Sequence, residues 1–236
     1  MPDLTRLPRG GVGAALYNIE RSMSSILSFS FFITKSMKLD LREGQLNGTL
    51  PILYVFLARS GKTIRDVSPI ALDRKGAAHL ANENPGRNAT QGVRIVFAGS
   101  DGLEKTLYYF STDLSNSSAG VSGFLKFCET LGPGDSLLKS ASYLLHSANF
   151  STVRDFLLTH SASIIQDDSG IPLAFYDPKR WRFFPFGRYV GPIDEFAGRY
   201  QPNHAELFKR AQPMDFGIGY RWRSYESNLL LSIRVR

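Results

Sequence analysis

Cysteine is nearly absent from this chain, and its scarcity limits the class of fold. The 236 residues include one cysteine, Cys128, so no intramolecular disulfide can form and a disulfide-stapled scaffold is excluded. The cysteine content is compatible both with a reducing cytoplasm and with a cysteine-poor cell envelope. With 43% hydrophobic and 12% aromatic residues, the chain can close one hydrophobic core without metals or disulfides. We therefore expect a single domain over residues 1–236.

Long apolar runs are lacking as well. The longest uncharged apolar stretch, residues 50–58, is about half of the roughly 20 residues that a membrane-spanning helix needs. Residues 22–33 have the length of a signal-peptide core, but they lie far from residue 1 and no small-residue cleavage site follows them. As written, the sequence predicts no transmembrane segment and no export signal, which favours the cytoplasm.

Acidic residues are few in the last quarter of the chain. The formal net charge is +7, and residues 179–236 contribute 11 basic and 5 acidic side chains, against 17 and 16 in residues 1–178. This excess would suit an anionic partner such as nucleic acid, phospholipid headgroups or an acidic polymer. Arginine-rich, solvated strand faces produce the same count, and we favour this second interpretation.

The N-terminal part of the sequence has helical periodicity, and strand patterns follow it. Residues 12–28 carry apolar side chains every three to four positions, which predicts an amphipathic helix. Strands are predicted across residues 38–111, with a buried strand over residues 50–59. The clearest hairpin joins residues 93–98 to residues 106–111, because Ser-Asp-Gly between them suits a tight turn. Residues 75–92 are small and polar, which predicts a surface loop.

The middle of the chain, residues 122–160, is predicted to be helical. A first helix carries Phe124 and Phe127 on one face, a second is capped by Asp135, and a third begins at Ser151 or Thr152.

Residues 163–236 are predicted to return to strands. They form a hairpin around residues 168–170 and a final pair of strands that turns near residues 224–227. Strands, helices and strands in this order predict an α+β fold, with an antiparallel or mixed sheet and helices mainly on one face.

Ser136 and Lys139 have an S-x-x-K spacing, in which a lysine amine one helical turn away can deprotonate a serine nucleophile. The sequence places them at the start of the helix that Asp135 is predicted to cap. The companion motifs of such enzymes do not follow downstream, and serine and lysine are ordinary residues of a solvated helix face. We assign no catalytic residue, and a serine-type hydrolase using Ser136 and Lys139 stays as an alternative.

The histidines and paired acids show no spacing typical of a metal centre. His146 and His160 each fall in the last turn of a predicted helix, where the helix dipole favours an imidazole. Asp167 and Asp168 would point to opposite faces of a strand, and Asp-Ser-Gly at residues 168–170 is typical of a turn. The sequence predicts no metal and no cofactor.

Aromatic and basic residues alternate through residues 175–200. Rings beside cations can stack on bases or sugars and neutralise phosphates, but the pattern does not match that of RNA-recognition sheets. A segment that crosses over the core and packs its aromatic side chains against it would have the same composition. If this segment is a contact surface for an anionic polymer or an envelope component, the predicted ligand-binding residues are Trp181, Arg182, Arg188 and Tyr189.

Three strings resemble those of a group of bacterial proteins with no assigned activity. They are LYYFSTDL at residues 107–114, FLKFCETLGPGDSLLKSASYLLH at residues 124–146 and SIIQDDSGIPL at residues 163–173. Members of that group begin with an export signal and an additional N-terminal segment, whereas Met1 here stands just before the predicted first helix. The resemblance therefore implies a periplasmic or envelope protein that has lost its leader. It implies no catalytic residue.

We thus expect an exported bacterial α+β domain that acts, without catalysis, as a binding or structural component of the cell envelope. Serine-type hydrolysis and non-specific nucleic-acid binding are the alternatives. A catalytic Lys139 should be buried beside Ser136 and a cleft. A binding module should instead show Trp181, Arg182 and Arg188 outward on one patch, together with Tyr189.

Overall fold

The computed structural model describes residues 13, 17, 49–80, 83, 86, 89–221 and 223–235. Apart from Gly13 and Tyr17, the predicted helix of residues 12–28 lies outside the described residues, as do residues 38–48 of the predicted strand region. The chain divides into two compact units: unit 1 comprises Met1–Thr112 with Ser122–Phe124, and unit 2 comprises Asp113–Val121 with Leu125–Arg236. The single domain expected from the sequence stays a prediction.

Between residues 49 and 112, the described part of unit 1 contains one helix and a four-stranded antiparallel sheet. Its elements are α1 (Thr49–Arg59), β1 (Thr63–Leu72), β2 (Ala78–Leu80), β3 (Thr90–Ala98) and β4 (Glu104–Phe110). The strand order is β2-β1-β3-β4. The buried apolar residues of β1 and β3 form the interior of this sheet: Ile70, Ala71, Leu72, Val93, Ile95 and Ala98.

The predicted hairpin is confirmed, and the predicted strand before it is wrong. Strands β3 and β4 pair from Gly92 opposite Phe110 to Ala98 opposite Glu104. Gly102 in the turn has a φ of 73°, which favours glycine. Residues 50–59, predicted as a buried strand, form α1 instead. A short apolar run is compatible with both helical and strand periodicity, so the pattern alone does not distinguish them. The predicted loop over residues 75–92 contains β2 and the first residues of β3.

The chain from Asp113 onward forms a mixed four-stranded sheet with short helices. The strands are β5 (Gly134–Leu138), β6 (Ser161–Gln166), β7 (Trp181–Gly187) and β8 (Asn228–Arg234). The α-helices are α2 (Asn116–Ala119), α3 (Phe124–Thr130), α4 (Ser151–His160) and α5 (Pro202–Phe208). Short 3₁₀ turns span Ala141–His146, Ala148–Phe150, Leu173–Phe175, Asp194–Arg199 and Ser224–Glu226. The α+β class predicted from the sequence is confirmed.

The order of the second sheet is β5-β6-β8-β7. Strand β5 is parallel to β6, with α4 in the connection, and the other two pairs are antiparallel. The core of unit 2 lies against this sheet and is formed by Leu145, Val153, Ile164, Ile171, Tyr176 and Trp181.

Three sequence predictions in this half are wrong. Asp135 caps no helix, since it lies on β5 and accepts a hydrogen bond from Ser163 Oγ of β6 at 2.7 Å. Residues 168–170 do turn the chain, but β6 pairs with β5 and β8 and forms no hairpin with the residues that follow it. Of the predicted final pair of strands, the described residues contain only β8, whose partners are β6 and β7. The predicted first and third helices are confirmed as α3 and α4.

Gly170 is required where the chain leaves β6. The fully buried Gln166 amide donates to Ile171 O at 2.7 Å and accepts from Ile171 N at 2.8 Å, and a Cβ on residue 170 would overlap Gln166 Oε1. We expect Gly170→Ala to lower the free energy of unfolding by about 2 kcal/mol, because the displaced amide leaves buried backbone groups unpaired. Urea denaturation followed by tryptophan fluorescence measures this change. Gly120→Ala is the control: a Cβ there meets nothing within 4 Å, so a comparable loss in both variants would contradict the role of Gln166.

Candidate functional site

A polar centre forms where the two parallel strands of unit 2 end. Leu138 and Gln166 are the last paired residues of β5 and β6, so the residues that follow, Lys139 and Asp167, leave the same edge of the sheet side by side. Lys139 Nζ donates to Asp167 Oδ2 at 2.8 Å. The Asp167 side chain is only 4% exposed and that of Lys139 is 28% exposed. The parallel register therefore brings a buried carboxylate and an ammonium together.

Ser169 forms hydrogen bonds with both members of this ion pair. It is fully buried, and both its backbone N–H and its hydroxyl donate to Asp167 Oδ1. Lys139 Nζ donates to Ser169 Oγ at 3.3 Å. Lys139 Nζ donates to both Asp167 and Ser169, and the Ser169 hydroxyl donates its proton to the Asp167 carboxylate. The lysine is therefore an ammonium donor and does not act as a base toward Ser169, so the serine is not an activated nucleophile.

Asp168 has hydrogen-bond partners that differ from those of Asp167. Its Oδ2 accepts from the Tyr143 hydroxyl at 2.7 Å, and its Oδ1 accepts from Asn228 Nδ2 at 3.0 Å. Burial raises the pKa of Asp168 above its usual range, although both hydrogen bonds oppose that shift. Burial, together with the negative charge of Asp168, also raises the pKa of Tyr143. The tyrosine is therefore a donor to Asp168.

The backbone is strained where Tyr143 enters the site. Ser142 and Tyr143 have φ angles of 59° and 54°, and within the part of the chain that the structure describes they are the only residues other than glycine with positive φ. Left-handed backbone costs such residues roughly 1–2 kcal/mol each. Strain of this kind concentrates at functional sites, where it aims a side chain. Here it holds the Tyr143 ring beside Tyr220, with the ring planes 8° apart and the centroids 6.4 Å apart.

A small cleft, partly open to solvent, lies beside these side chains. Its lining residues are Tyr143, Asp167, Asp168, residues 191–193 and 218–221, Glu226 and Asn228. Arg221 links two of these segments, because its guanidinium donates to Gly191 O at 3.2 Å and to Pro192 O at 3.0 Å. Gly219, at a φ of 79°, lies so close to Asp167 that a Cβ would stand 2.5 Å from Oδ2.

Two histidines support this centre from within the protein. His146 Nε2 lies 3.2 Å from Asp168 O, and burial lowers its pKa to about 4. His204 is fully buried, and burial lowers its pKa to about 4 as well. The nearby Asn228 amide opposes the shift of His204, yet neither His204 Nε2 nor Asn228 Oδ1 has a partner in hydrogen-bond geometry. Both imidazoles are therefore neutral at pH 7.

Ser136 and Lys139 are not arranged as the sequence predicted. They lie on and just after β5, whereas the S-x-x-K interpretation requires a helix. Ser136 Oγ shares a hydrogen bond of 2.8 Å with Ser161 Oγ, while Lys139 is held by Asp167. The predicted helical placement is wrong, because pairing with β6 determines the conformation of this segment.

The predicted aromatic and basic contact residues do not share one outward patch. Trp181 is 4% exposed and belongs to the core, where its ring meets Tyr176 edge-on. Tyr189 is half-buried: its hydroxyl accepts from Gln201 N at 3.0 Å, and burial raises its pKa to about 12. Arg182 and Arg188 are exposed. The prediction of an outward Trp181 is wrong, since strand alternation turns it inward and Arg182 outward.

Within the described residues, no three His, Cys, Asp or Glu side chains converge in a way that could hold a metal ion. No helix of the described ranges is long and apolar enough to cross a membrane.

No family model, curated protein or solved structure matches this chain. The resemblance to a group of exported bacterial proteins therefore stays a prediction, and the interpretation of the site depends on its geometry. Sequence reasoning missed Tyr143, Tyr220 and Asn228, which are far apart along the chain. The adjacent acids at the end of a predicted strand are the one visible signal, and the Asp-Ser-Gly pattern at residues 168–170 predicts a turn there.

Proposed function

We propose that this protein is a binding protein and that the cleft of unit 2 holds its ligand. One observation carries the proposal: two buried carboxylates, Asp167 and Asp168, line an open cleft next to strained backbone at Tyr143. Burying charge and straining backbone both cost stability. A fold retains such features where a ligand uses them, and perturbed carboxylates in a cleft are typical of functional sites.

The hydrogen-bond network favours binding over hydrolysis. Ser169 is close to Lys139 but fully buried, so its oxygen has no access to a substrate. The Ser136 hydroxyl is engaged by Ser161, and the Lys139 ammonium by Asp167. A serine hydrolase needs an exposed hydroxyl beside a free base, which supports the non-enzymatic interpretation.

The lining indicates the chemistry of the ligand. Carboxylate oxygens accept more than one hydrogen bond each, so Asp167 and Asp168 keep lone pairs for donors on a ligand. The rings of Tyr143 and Tyr220 add an apolar surface. The cleft encloses little more than the space of one water molecule. The site therefore suits one hydrogen-bond donor group, carried by a small molecule or by a side chain of a larger partner, that enters from solvent.

The cell-envelope setting implied by the sequence resemblance belongs to this proposal. Binding of an anionic polymer through Arg182 and Arg188 is the second candidate, because both side chains are exposed and Phe184, which lies between them in the sequence, is 39% exposed.

Ligand-observed NMR with a library of soluble fragments of mixed charge tests the proposed function. We expect a subset of fragments to bind the wild-type protein and to lose binding in Tyr220→Ala, since this substitution removes one wall of the cleft. Phe216→Ala is the matched control, because Phe216 is an exposed ring close in sequence that does not line the cleft.

Two outcomes would count against the cleft. The first is that no fragment binds, and the second is that every bound fragment survives Tyr220→Ala. If binding is lost only in an Arg182→Ala/Arg188→Ala double variant and only for anionic fragments, the basic surface is the site instead.

A further inference from the structure

We propose that one face of the β5-β6-β8-β7 sheet is the interface of a homodimer, in which two copies of this chain pack face to face about a two-fold axis parallel to the strands. The surface is separate from the cleft, and the inference does not depend on the proposed function. It rests on an exposed apolar row across the sheet and on two unpaired charges at opposite edges of the sheet.

The core of unit 2 covers the other face of this sheet. Ile164, Leu230 and Ser232 point toward that core and are fully buried. Side chains alternate along a strand, so the residues between and beside them, such as Ile165 and Leu231, lie on the opposite face. We call this second face the outer face.

Strand register arranges the residues of the outer face in two rows across all four strands. The apolar row is Leu137, Ile165, Leu231 and Phe184, and the charged row is Asp135, Ser163, Ile233 and Arg182.

The apolar row is open to solvent, most of all at its ends. Leu137 and Phe184 are 73% and 39% exposed, and Ile233 in the charged row is 40% exposed. Because all four residues of the apolar row are hydrophobic, this strip runs from one edge of the sheet to the other. Two sheets that pack face to face bury such strips against each other at a separation of about 10 Å. Exposed contiguous apolar surface is typical of protein contact sites.

The charged row carries opposite charges at its two ends. Asp135 lies on the edge strand β5 and Arg182 on the edge strand β7, and both are exposed. Three strand spacings of about 4.8 Å separate them by about 14 Å, so they cannot form an ion pair within one chain. Asp135 accepts a hydrogen bond from Ser163, but neither charge has an ion-pair partner among the residues that the structure describes.

A two-fold axis parallel to the strands makes the outer face complementary to itself. Rotation about this axis exchanges the β5 edge with the β7 edge and keeps each row at its height. Asp135 then faces the partner's Arg182, and by symmetry this pair forms twice, while the apolar row faces its own copy in reverse order. An in-plane axis perpendicular to the strands would place β5 on β5 and would give neither charge an opposite partner. Charge complementarity therefore selects a second copy in one orientation.

Sedimentation velocity of the full chain over a concentration series, in about 50 mM salt to limit screening, measures this dimer. We expect a reversible monomer–dimer equilibrium with weak affinity, because two rows make a small interface. Asp135→Arg and Arg182→Asp each bring like charges together at both ends of the interface, so each should raise the dissociation constant at least about tenfold. The double variant restores opposite charges and should return the dissociation constant to within about threefold of the wild-type value.

Two matched controls separate the outer face from the rest of the surface. Asp155→Arg makes the same charge change at a 71% exposed residue of α4, which packs against the covered face, and should leave the dissociation constant unchanged. Leu137→Ser should weaken the dimer at least about tenfold, whereas Leu131→Ser, at a 59% exposed leucine before β5, should not. Thermal unfolding verifies that every variant is folded.

Three results would overturn the inference. The first is a wild-type protein that stays monomeric up to about 1 mM. The second is a dimer that both charge reversals leave intact, because it would use another surface. The third is a double variant that dimerises as weakly as the single variants, which would show that Asp135 and Arg182 do not face each other across the interface.

Discussion

Replacing Asp167 by alanine is expected to lower the free energy of unfolding of unit 2 by about 3 kcal/mol. The substitution removes the acceptor of the fully buried Ser169, which donates both its N–H and its hydroxyl to Asp167, and it leaves Lys139 without its carboxylate. Breaking a buried pair from one side typically costs about 3–5 kcal/mol. Lys139 is 28% exposed and can turn toward water, which places the expected loss at the lower end.

Urea denaturation followed by tryptophan fluorescence is the suitable measurement, because Trp181 lies in the core of unit 2. Asp155→Ala is the control: its carboxylate is 71% exposed and 3.9 Å from Arg154 Nε, so we expect a change within roughly 0.5 kcal/mol. A loss of less than about 1 kcal/mol for Asp167→Ala would mean that the ion pair is not part of the folded framework.

Acid should destabilise unit 2 through its buried histidine, and His204→Phe should remove that effect. The pKa of His204 is lowered from 6.5 to about 4 in the folded state, so the unfolded chain takes up a proton first as the pH falls. The stabilising contribution of the neutral imidazole is complete above pH 6.5 and is lost between pH 6.5 and about pH 4. At about 1.4 kcal/mol per pH unit, the loss amounts to about 3 kcal/mol.

Phenylalanine is the appropriate replacement because it keeps the ring contacts. His204 stacks on Phe208 with centroids 4.5 Å apart and meets the Tyr189 ring edge-on at 4.8 Å, and its Nε2 has no hydrogen-bond partner to lose. The quantity to compare is the difference in unfolding free energy between pH 6.5 and pH 4, for wild type and variant. The titration of Asp168 is common to both proteins and cancels in this comparison.

His160→Phe is the matched control for the pH experiment. His160 is the last residue of α4 and its side chain is 40% exposed, and the variant keeps His204, so we expect it to retain the acid destabilisation that His204 causes. An equal acid destabilisation in wild type and His204→Phe would show that His204 is not the group responsible.

Local chemistry was sufficient to predict some elements of the fold. The β3–β4 hairpin follows from two β-rich segments separated by Ser-Asp-Gly, since the turn itself determines which residues pair. Helix α4 follows from a polar start at Ser151 and inward-facing residues at helical spacing, of which Val153 is buried. In these cases the deciding contacts lie within about 20 residues of each other, so the sequence pattern contains them.

Distant pairing decided the elements that were predicted wrongly. Residues 137–145 have leucines at a spacing that a helix would accept. Residues 134–138 nevertheless form β5, because β6, more than 20 residues later, supplies their backbone partners. Residues 50–59 are apolar enough for a buried strand, yet as α1 they satisfy their own backbone hydrogen bonds, with Ile52 buried and Phe56 exposed. Neither outcome can be derived from a local pattern.

By itself, the sequence determined the α+β class, the hairpin of unit 1, the first and third helices of the middle segment, and the positive charge of the last quarter. Each of these depends on composition or on neighbours along the chain. Only the tertiary structure decided the candidate site, because it joins Lys139 and Tyr143 to Asp167, Asp168, Tyr220 and Asn228 across about 90 residues. Parallel pairing of β5 with β6 places the lysine beside the aspartate, and antiparallel pairing of β6 with β8 places the asparagine there. Strand pairing in a sheet brings residues that are far apart in sequence into contact, and no local sequence pattern predicts such contacts. For this reason the chemistry of the cleft can be described only from the tertiary structure.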